Sequence, residues 1–283
     1  MTGILGRAGE LGLLPATMAQ LEQLNGGPVE EADHDTRILL VSTATNLTAA
    51  DLAGYPNLAH LALCGTSFGR IDTAVLDERG VTTSYVVDYG DHPAAEVVFM
   101  QLVGLARGYG PYQWRAEPHE LAGKTLTIVG LGALGAAMAR LGLAYRMQVN
   151  HLSRSPKPEW EAQGVRQIQH EELAGTDVVI LTSPTNVVVL DQADFDRLDG
   201  AIVVQASLGQ VVDDAAFRAW IAREQNHAVF DLSAGEDIYA AYAGLPRVIF
   251  PRVVAADSVE TMQRLGDRVV ANVTEALALL RRP

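Results

Sequence analysis

The sequence predicts an α/β protein made of two doubly wound parallel-sheet domains. Three observations lead there. Short apolar runs alternate with helical stretches along most of the chain, the pattern of strands joined by crossover helices. The alternation restarts after Gly123-Lys124. The 283 residues also exceed one ordinary core and suit two domains of ~100–200 residues each.

The first series of strands is Arg37–Ser42, Leu58–Cys64 and Val81–Val87. The stretch from Pro93 to Gly108 is apolar and poor in glycine, so it reads as a long helix beginning at a proline. The second series runs Thr125–Val129, Gln148–Leu152, Val178–Leu181, Ala201–Val204, Ala228–Phe230 and Val248–Phe250. A last helix starts near Asp257, which has capping-box spacing to Glu260, and ends at about Leu280. It is expected to return to the first unit and make that domain discontinuous.

Composition narrows the function. Asp+Glu number 34 and Lys+Arg 21, a formal charge of −13, which repels phosphate backbones and anionic lipids. No nucleic-acid or membrane partner is expected. A local basic pocket for a small anion remains compatible with that charge. Cys64 is the single cysteine, so no disulfide forms within the chain and no thiolate metal cluster can be built. The seven histidines show no metal-ligand spacing, and no metal is predicted. No run reaches the ~18 apolar residues of a membrane span. Met1–Arg7 lacks the charged-then-apolar pattern of a signal peptide, which points to the cytoplasm.

Ile128-Val129-Gly130-Leu131-Gly132-Ala133-Leu134-Gly135 has the spacing G-x-G-x-x-G. It follows an apolar strand and opens a helix predicted over Ala136–Tyr145, the Rossmann-type context in which the motif carries chemistry. Gly130 permits the tight turn, Gly132 lets backbone approach a pyrophosphate, and Gly135 lets helix and strand pack closely. The helix N-terminus then presents N–H groups and a partial positive charge to the anion. The next strand ends Ser153-Arg154-Ser155-Pro156-Lys157. An NAD site places Asp or Glu at that strand end for the ribose hydroxyls. A hydroxyl and a guanidinium there would attract a 2′-phosphate, so NADP(H) is expected over NAD(H). The competing reading makes Arg154 and Lys157 a solvated turn.

With these residues in view, the chain resembles the D-2-hydroxyacid dehydrogenases over nearly its whole length. The matching points, in order, are Ala95-Glu96, Leu121-Ala122-Gly123-Lys124, the Gly130 loop, Asp177 to Pro184, Val203 to Asp213, Ala228 to Asp231 and Leu245 to Ile249. The resemblance implies a Rossmann-type cofactor domain over residues 91–256. It implies a smaller flavodoxin-like substrate domain over 1–90, completed by the helix 257–283. It adds Ala133, Leu134, Ser155, Pro184, Ala206 and Asp231 to the cofactor contacts. It also implies a homodimer through the cofactor domain and the helix near Pro93.

Members of that family use an Arg to bind and polarise the substrate, a His to move the proton and a Glu to pair with the His. Here the strand-end motif reads Gln205-Ala206-Ser207-Leu208-Gly209, with Leu208 in the Arg position. Glu236 matches the Glu, and Pro251-Arg252 puts Arg252 in place of the His. Leucine can neither bind a carboxylate nor polarise a carbonyl, and an arginine cannot act as a general acid near neutrality.

The leading expectation is a reductase of a small, anionic carbonyl, imine or activated alkene. Arg252 would be a fixed cation oriented by Glu236, and the proton would come from Tyr239, Tyr242, His92 or water. His92 lies where the first unit gives way to the second. The loop Cys64–Gly69 resembles the family's carboxylate-binding loop, so Thr66, Ser67 and Phe68 are candidate pocket residues with Leu208. Cys64 reads as a small buried hydrophobe. The alternatives are a catalytically inert nucleotide-binding scaffold and a non-redox enzyme on the same fold.

Overall fold

The computed structural model describes residues 4–68 and 71–280. Gly69, residues 1–3 and the last three residues of the expected C-terminal segment lie outside the described residues. The chain forms two compact units, one from residues 1–89 with 258–283 and the other from 90–257.

In the first unit, β1 (Leu5–Ala8), β2 (Ile38–Ser42), β3 (His60–Cys64) and β4 (Thr82–Ser84) form a parallel sheet in that order. Glu31 adds one parallel bridge to Arg7 on β1. Counting that segment as an edge gives the chain order 2-1-3-4-5, the flavodoxin-like arrangement. The strands read as unbroken apolar runs because both sheet faces are covered. Ile38, Leu40, Ala62 and Cys64 pack on one face with the C-terminal helix. Leu39, Val41, Leu61 and Leu63 pack on the other with Leu52, Leu76 and Val81.

The C-terminal helix spans Val259–Leu280 and buries Leu265, Val269, Val273, Ala276 and Leu277, one stripe at helical spacing. Its cap is Ser258 rather than Asp257. The Ser258 hydroxyl accepts the Thr261 N–H at 3.1 Å, one residue later than the Asp257–Glu260 spacing suggested.

The second unit holds β5 (Thr125–Val129), β6 (Gln148–Leu152), β7 (Arg166–Gln167), β8 (Val178–Leu181), β9 (Ile202–Gln205), β10 (His227–Phe230) and β11 (Val248–Ile249). All are parallel, in the order β11-β10-β9-β8-β5-β6-β7. The winding reverses between β5 and β8, and ligands bind outside the carboxyl ends of strands at such a switch point. One face buries Leu126, Ile128, Ile180 and Val204 under the helices Asp91–Arg107 and Ala133–Ala144. The other buries Val179, Leu181, Val203 and Phe230 under Phe195, Phe217, Trp220 and Tyr242. Each such aliphatic side chain contributes about 1.5–3 kcal/mol of transfer free energy.

Several boundaries differ from the sequence reading. The helix expected from Pro93 begins at Asp91, so Pro93 stands third in the first turn, where a missing N–H removes no intrahelical bond. The helix expected from Ala136 begins at Ala133. The strand expected over Val81–Val87 keeps only Thr82–Ser84, because Tyr85 onward no longer pairs with β3.

Candidate functional site

The turn after β5 is shaped by backbone, not side chains. Gly130 has φ +94, and a Cβ there would lie 2.9 Å from the Thr182 carbonyl oxygen on the neighbouring strand end. Thr182 fastens the turn by donating its hydroxyl to the Gly130 carbonyl. A Cβ on Gly135 would come 2.2 Å from the Gly130 carbonyl oxygen, so only glycine lets the helix sit this close. Gly132 differs: a Cβ there would meet no atom within 4 Å. Nothing in the protein itself requires glycine at that position, whereas a pyrophosphate approaching the backbone would. The first helical bond runs from Ala136 N–H to the Gly132 carbonyl at 2.8 Å, and no side chain caps the helix. The N–H groups of Ala133, Leu134 and Gly135 are therefore presented to an anion.

Beside this turn lies a cavity of about 430 Å³. Six of the expected cofactor residues line it: Gly130, Gly132, Ser153, Arg154, Ser155 and Pro184. Lys157, His170, Ser183, Val187 and Val189 line it as well and were not among the expected contacts. Its described lining contains Arg, Lys and His but no carboxylate, in a chain of net charge −13. Arg154 is exposed and has no ion-pair or hydrogen-bond partner among the described residues, and the Lys157 side chain has none either. Ser153 is held in place: His151 Nδ1 lies 2.8 Å from its hydroxyl, which donates to the Ser155 carbonyl at 3.2 Å. Since that hydroxyl already donates, His151 Nδ1 carries the ring proton, and the buried Nε2 has no partner. Burial pushes the titration of His151 below the ordinary histidine range, which keeps the ring neutral. The cradle at Gly132, the presented N–H groups and the cations fit the anionic part of a dinucleotide. Residues 130–135 would hold the pyrophosphate, and the β6 end the adenosine ribose.

A second group gathers past β9, β10 and β11. Glu236 and Arg252 form an ion pair at 2.5 Å, with side chains 62% and 56% exposed. The Arg252 guanidinium lies 4.8 Å from the centre of the Tyr239 ring, and that ring packs edge-on against Phe250. Three of the four expected catalytic residues thus meet. Leu208 stands in the loop after β9, 38% exposed. That loop is fixed by Asn186, whose side-chain oxygen accepts the Gln210 N–H at 3.1 Å, and by buried Gln205, which donates to the Gly209 carbonyl at 2.6 Å. Asp231, at the end of β10, accepts from the Ser233 and Ala255 N–H groups and ties down the segment leading away from Arg252. Ala206 is partly buried at the end of β9.

The remaining candidates have other surroundings. His92 is 73% exposed at the start of its helix and faces Glu96 at 3.7 Å. Tyr242 is removed as a proton donor: it is fully buried, Gln210 donates to its hydroxyl at 3.0 Å, and burial pushes its pKa up to about 12. Thr66, Ser67 and Phe68 follow β3 in the first unit, where Phe68 packs edge-on against Tyr85 at 5.8 Å. Cys64 is buried and its thiol is pushed up to about 12, so it is inert.

Of the unexpected lining residues, those after β8 had a signal, since that loop flanks the Gly130 turn at the switch point. His170 had none: it follows β7, whose two residues are too short to register as a strand.

The family model for the NAD binding domain of D-isomer specific 2-hydroxyacid dehydrogenase matches residues 105–253. A Schizosaccharomyces pombe protein with a provisional 2-hydroxyacid dehydrogenase name is 28% identical over 244 residues, covering 78% of this chain and 72% of that one. The 4-methyl-2-oxopentanoate reductase A of Aspergillus oryzae is 26% identical, covering 88% and 83%. Among solved structures, the 2-hydroxyacid dehydrogenase of Ketogulonicigenium vulgare superposes with TM-score 0.83 at 18% identity, covering 98% and 96%. An acyclic imino acid reductase, solved with NADPH and D-Arg, gives 0.80 at 20% identity, covering 97% and 96%. At these identities the structural likeness establishes the shared fold.

Proposed function

Because the chain belongs to the D-isomer specific 2-hydroxyacid dehydrogenase family, and is thereby a nicotinamide-dependent oxidoreductase, we propose that it is an NADP(H)-dependent reductase with an altered catalytic set. Its substrate in this reading is a small anionic carbonyl, imine or activated alkene.

The observation that carries the cofactor choice is the carboxylate-free lining of the cavity at the β6 end. Ser153 stands where an acidic residue would bond the ribose hydroxyls, and beside it the Arg154 and Lys157 side chains have no partner among the described residues. An unpaired guanidinium gains charge-assisted hydrogen bonds from a phosphate and nothing comparable from a ribose hydroxyl.

The bound cofactor would supply the hydride; the protein supplies binding, orientation and charge. The Glu236–Arg252 pair is a charge-placing device. Glu236 orients the guanidinium, and Arg252 neutralises a substrate carboxylate or the negative charge that develops as the acceptor is reduced. Tyr239, directly against Arg252, is the proton donor in this assignment. Leu208 leaves the wall after β9 apolar, which favours a substrate whose charge is met from the Arg252 side. Thr66 and Ser67 keep a role in substrate contact on the family resemblance alone.

The single cysteine suits a reducing compartment. A homodimer through the helix Asp91–Arg107 would cover Met100, which is 60% exposed.

The test is NADPH oxidation in the presence of panels of 2-oxo acids, imines and conjugated alkenes. Turnover of at least one class supports the proposal. NADPH binding with no turnover of any would return the chain to the inert-scaffold reading.

A further inference from the structure

We infer that His170 is a phosphate-contacting residue of the nucleotide cavity, and that through it the binding of a 2′-phosphorylated dinucleotide takes up a proton. The inference deepens the NADP(H) reading and rests on it.

His170 opens the short turn His170–Glu172 after β7 and lines the same cavity as Ser153, Arg154 and Lys157. Its Nδ1 lies 2.8 Å from Asp194 Oδ1. The Asp194 side chain is only 5% exposed. Its other oxygen, Oδ2, accepts the Asp191 N–H at 3.1 Å, and the Arg197 guanidinium stands 3.9 Å from Oδ1. An ionised carboxylate can only accept, so Nδ1 is the donor and the ring is fixed in orientation. That leaves Nε2. It has no partner among the described residues, and it is not sealed off like the orphan nitrogens of His151 and His227.

A phosphate dianion also only accepts. Nε2 can bond it when the imidazole is protonated and not otherwise. The charged groups around the ring are Asp194 with Arg197 behind it, Asp191, the neighbouring Glu171 and Glu172, and Arg154 and Lys157 on the same cavity. Glu172 is already engaged by Arg166 at 2.9 Å. The cations alone would attract phosphate at any pH. The imidazole adds a contact that only its protonated form makes.

The experiment titrates NADPH and NADH into the full-length protein and its His170→Asn variant, at about pH 6.5 and pH 8.5. Asparagine keeps a donor for Asp194 but reaches no further. In the wild type, the preference for NADPH over NADH should narrow by about tenfold on raising the pH, the size of one charge-assisted hydrogen bond. The 2′-phosphate's own titration, with pKa near 6, runs the other way, because the dianion forms as pH rises. In His170→Asn the preference should be smaller at the lower pH and should no longer narrow as pH rises, with NADH affinity within about twofold of the wild type. A wild-type preference that is the same at both pH values, or a variant that weakens both nucleotides equally, overturns the inference while leaving the NADP(H) reading intact. No preference for NADPH at either pH would overturn both.

Discussion

Gly135 packs so closely on Gly130 that a Cβ added to the former would lie 2.2 Å from the latter's carbonyl oxygen, whereas a Cβ on Gly132, between them, would touch nothing within 4 Å. The two positions therefore separate folding from binding. Gly135→Ala forces the helix off β5 and should lower the melting temperature by several degrees, since an overpacked site costs about 1–3 kcal/mol. Gly132→Ala should melt like the wild type yet bind NADPH at least tenfold more weakly, because its methyl group occupies the anion's approach. Thermal melts with paired titrations check both; a Gly132→Ala protein with full affinity would contradict the pyrophosphate placement.

The Glu236–Arg252 pair stands over the Tyr239 ring without burial, so its contribution to stability is small, about 0–1 kcal/mol for an exposed pair. Its proposed value lies in catalysis. Arg252→Ala should lower kcat by roughly 10²–10³, the range for losing one charge-stabilising donor, while the NADPH Kd stays within about twofold. Steady-state kinetics against a titration on the same preparation decide it. A kcat near the wild-type value would remove Arg252 from the mechanism.

Leu208 is exposed in a loop already fixed by Asn186 and Gln205, so a longer side chain can be carried there without repacking. Leu208→Arg should lower the KM for small 2-oxo acids about tenfold or more, through a charge-assisted contact to the carboxylate. The same substitution should leave nucleotide affinity unchanged. An unaltered KM would mean that position 208 does not reach the substrate.

Acid should weaken the fold in two steps. His60, His151 and His227 are buried, and burial pushes each below the ordinary histidine range. The unfolded chain then takes up protons near pH 6.5 before the folded one does. It binds more protons, so stability rises with pH through this window and falls on acidification below it. Glu172, held down by the Gln169 N–H, and Asp51, held down by the Thr48 hydroxyl, lose their contribution only as pH falls below about 4.5. Melting temperatures across about pH 7.5 to 4 should show a decline beginning near 6.5 and a steeper one below 4.5. A flat profile down to pH 5 would contradict the neutral, buried imidazoles.

Much of this architecture is legible in the sequence, for definite reasons. Parallel strands covered on both faces, such as Ile38–Ser42 and Val178–Leu181, are unbroken apolar runs and announce themselves. The Gly130–Gly135 turn is legible because its backbone geometry admits few residues. β1 is not legible because Leu5-Gly6-Arg7-Ala8 mixes a glycine and a charge into four residues, and its pairing with β2 is what makes it a strand. β7 is set by pairing of two residues with β6, and His170 came into the cavity with it. Tyr242 illustrates the converse: six sequence positions from Glu236, it looked available for chemistry, yet the helix Glu236–Tyr242 turns it into the aromatic cluster of Phe217 and Phe230.

The most direct test is a fluorescence titration of the purified protein with NADPH and NADH, repeated on Arg154→Ala. Arg154 has no partner among the described residues, so its removal should act on the ligand alone. The expected result is NADPH binding at least tenfold tighter than NADH in the wild type, with Arg154→Ala erasing most of that difference and leaving NADH affinity within about twofold, the scale of one lost phosphate contact. Tighter binding of NADH, equal weakening of both nucleotides by Arg154→Ala, or binding of neither would contradict it.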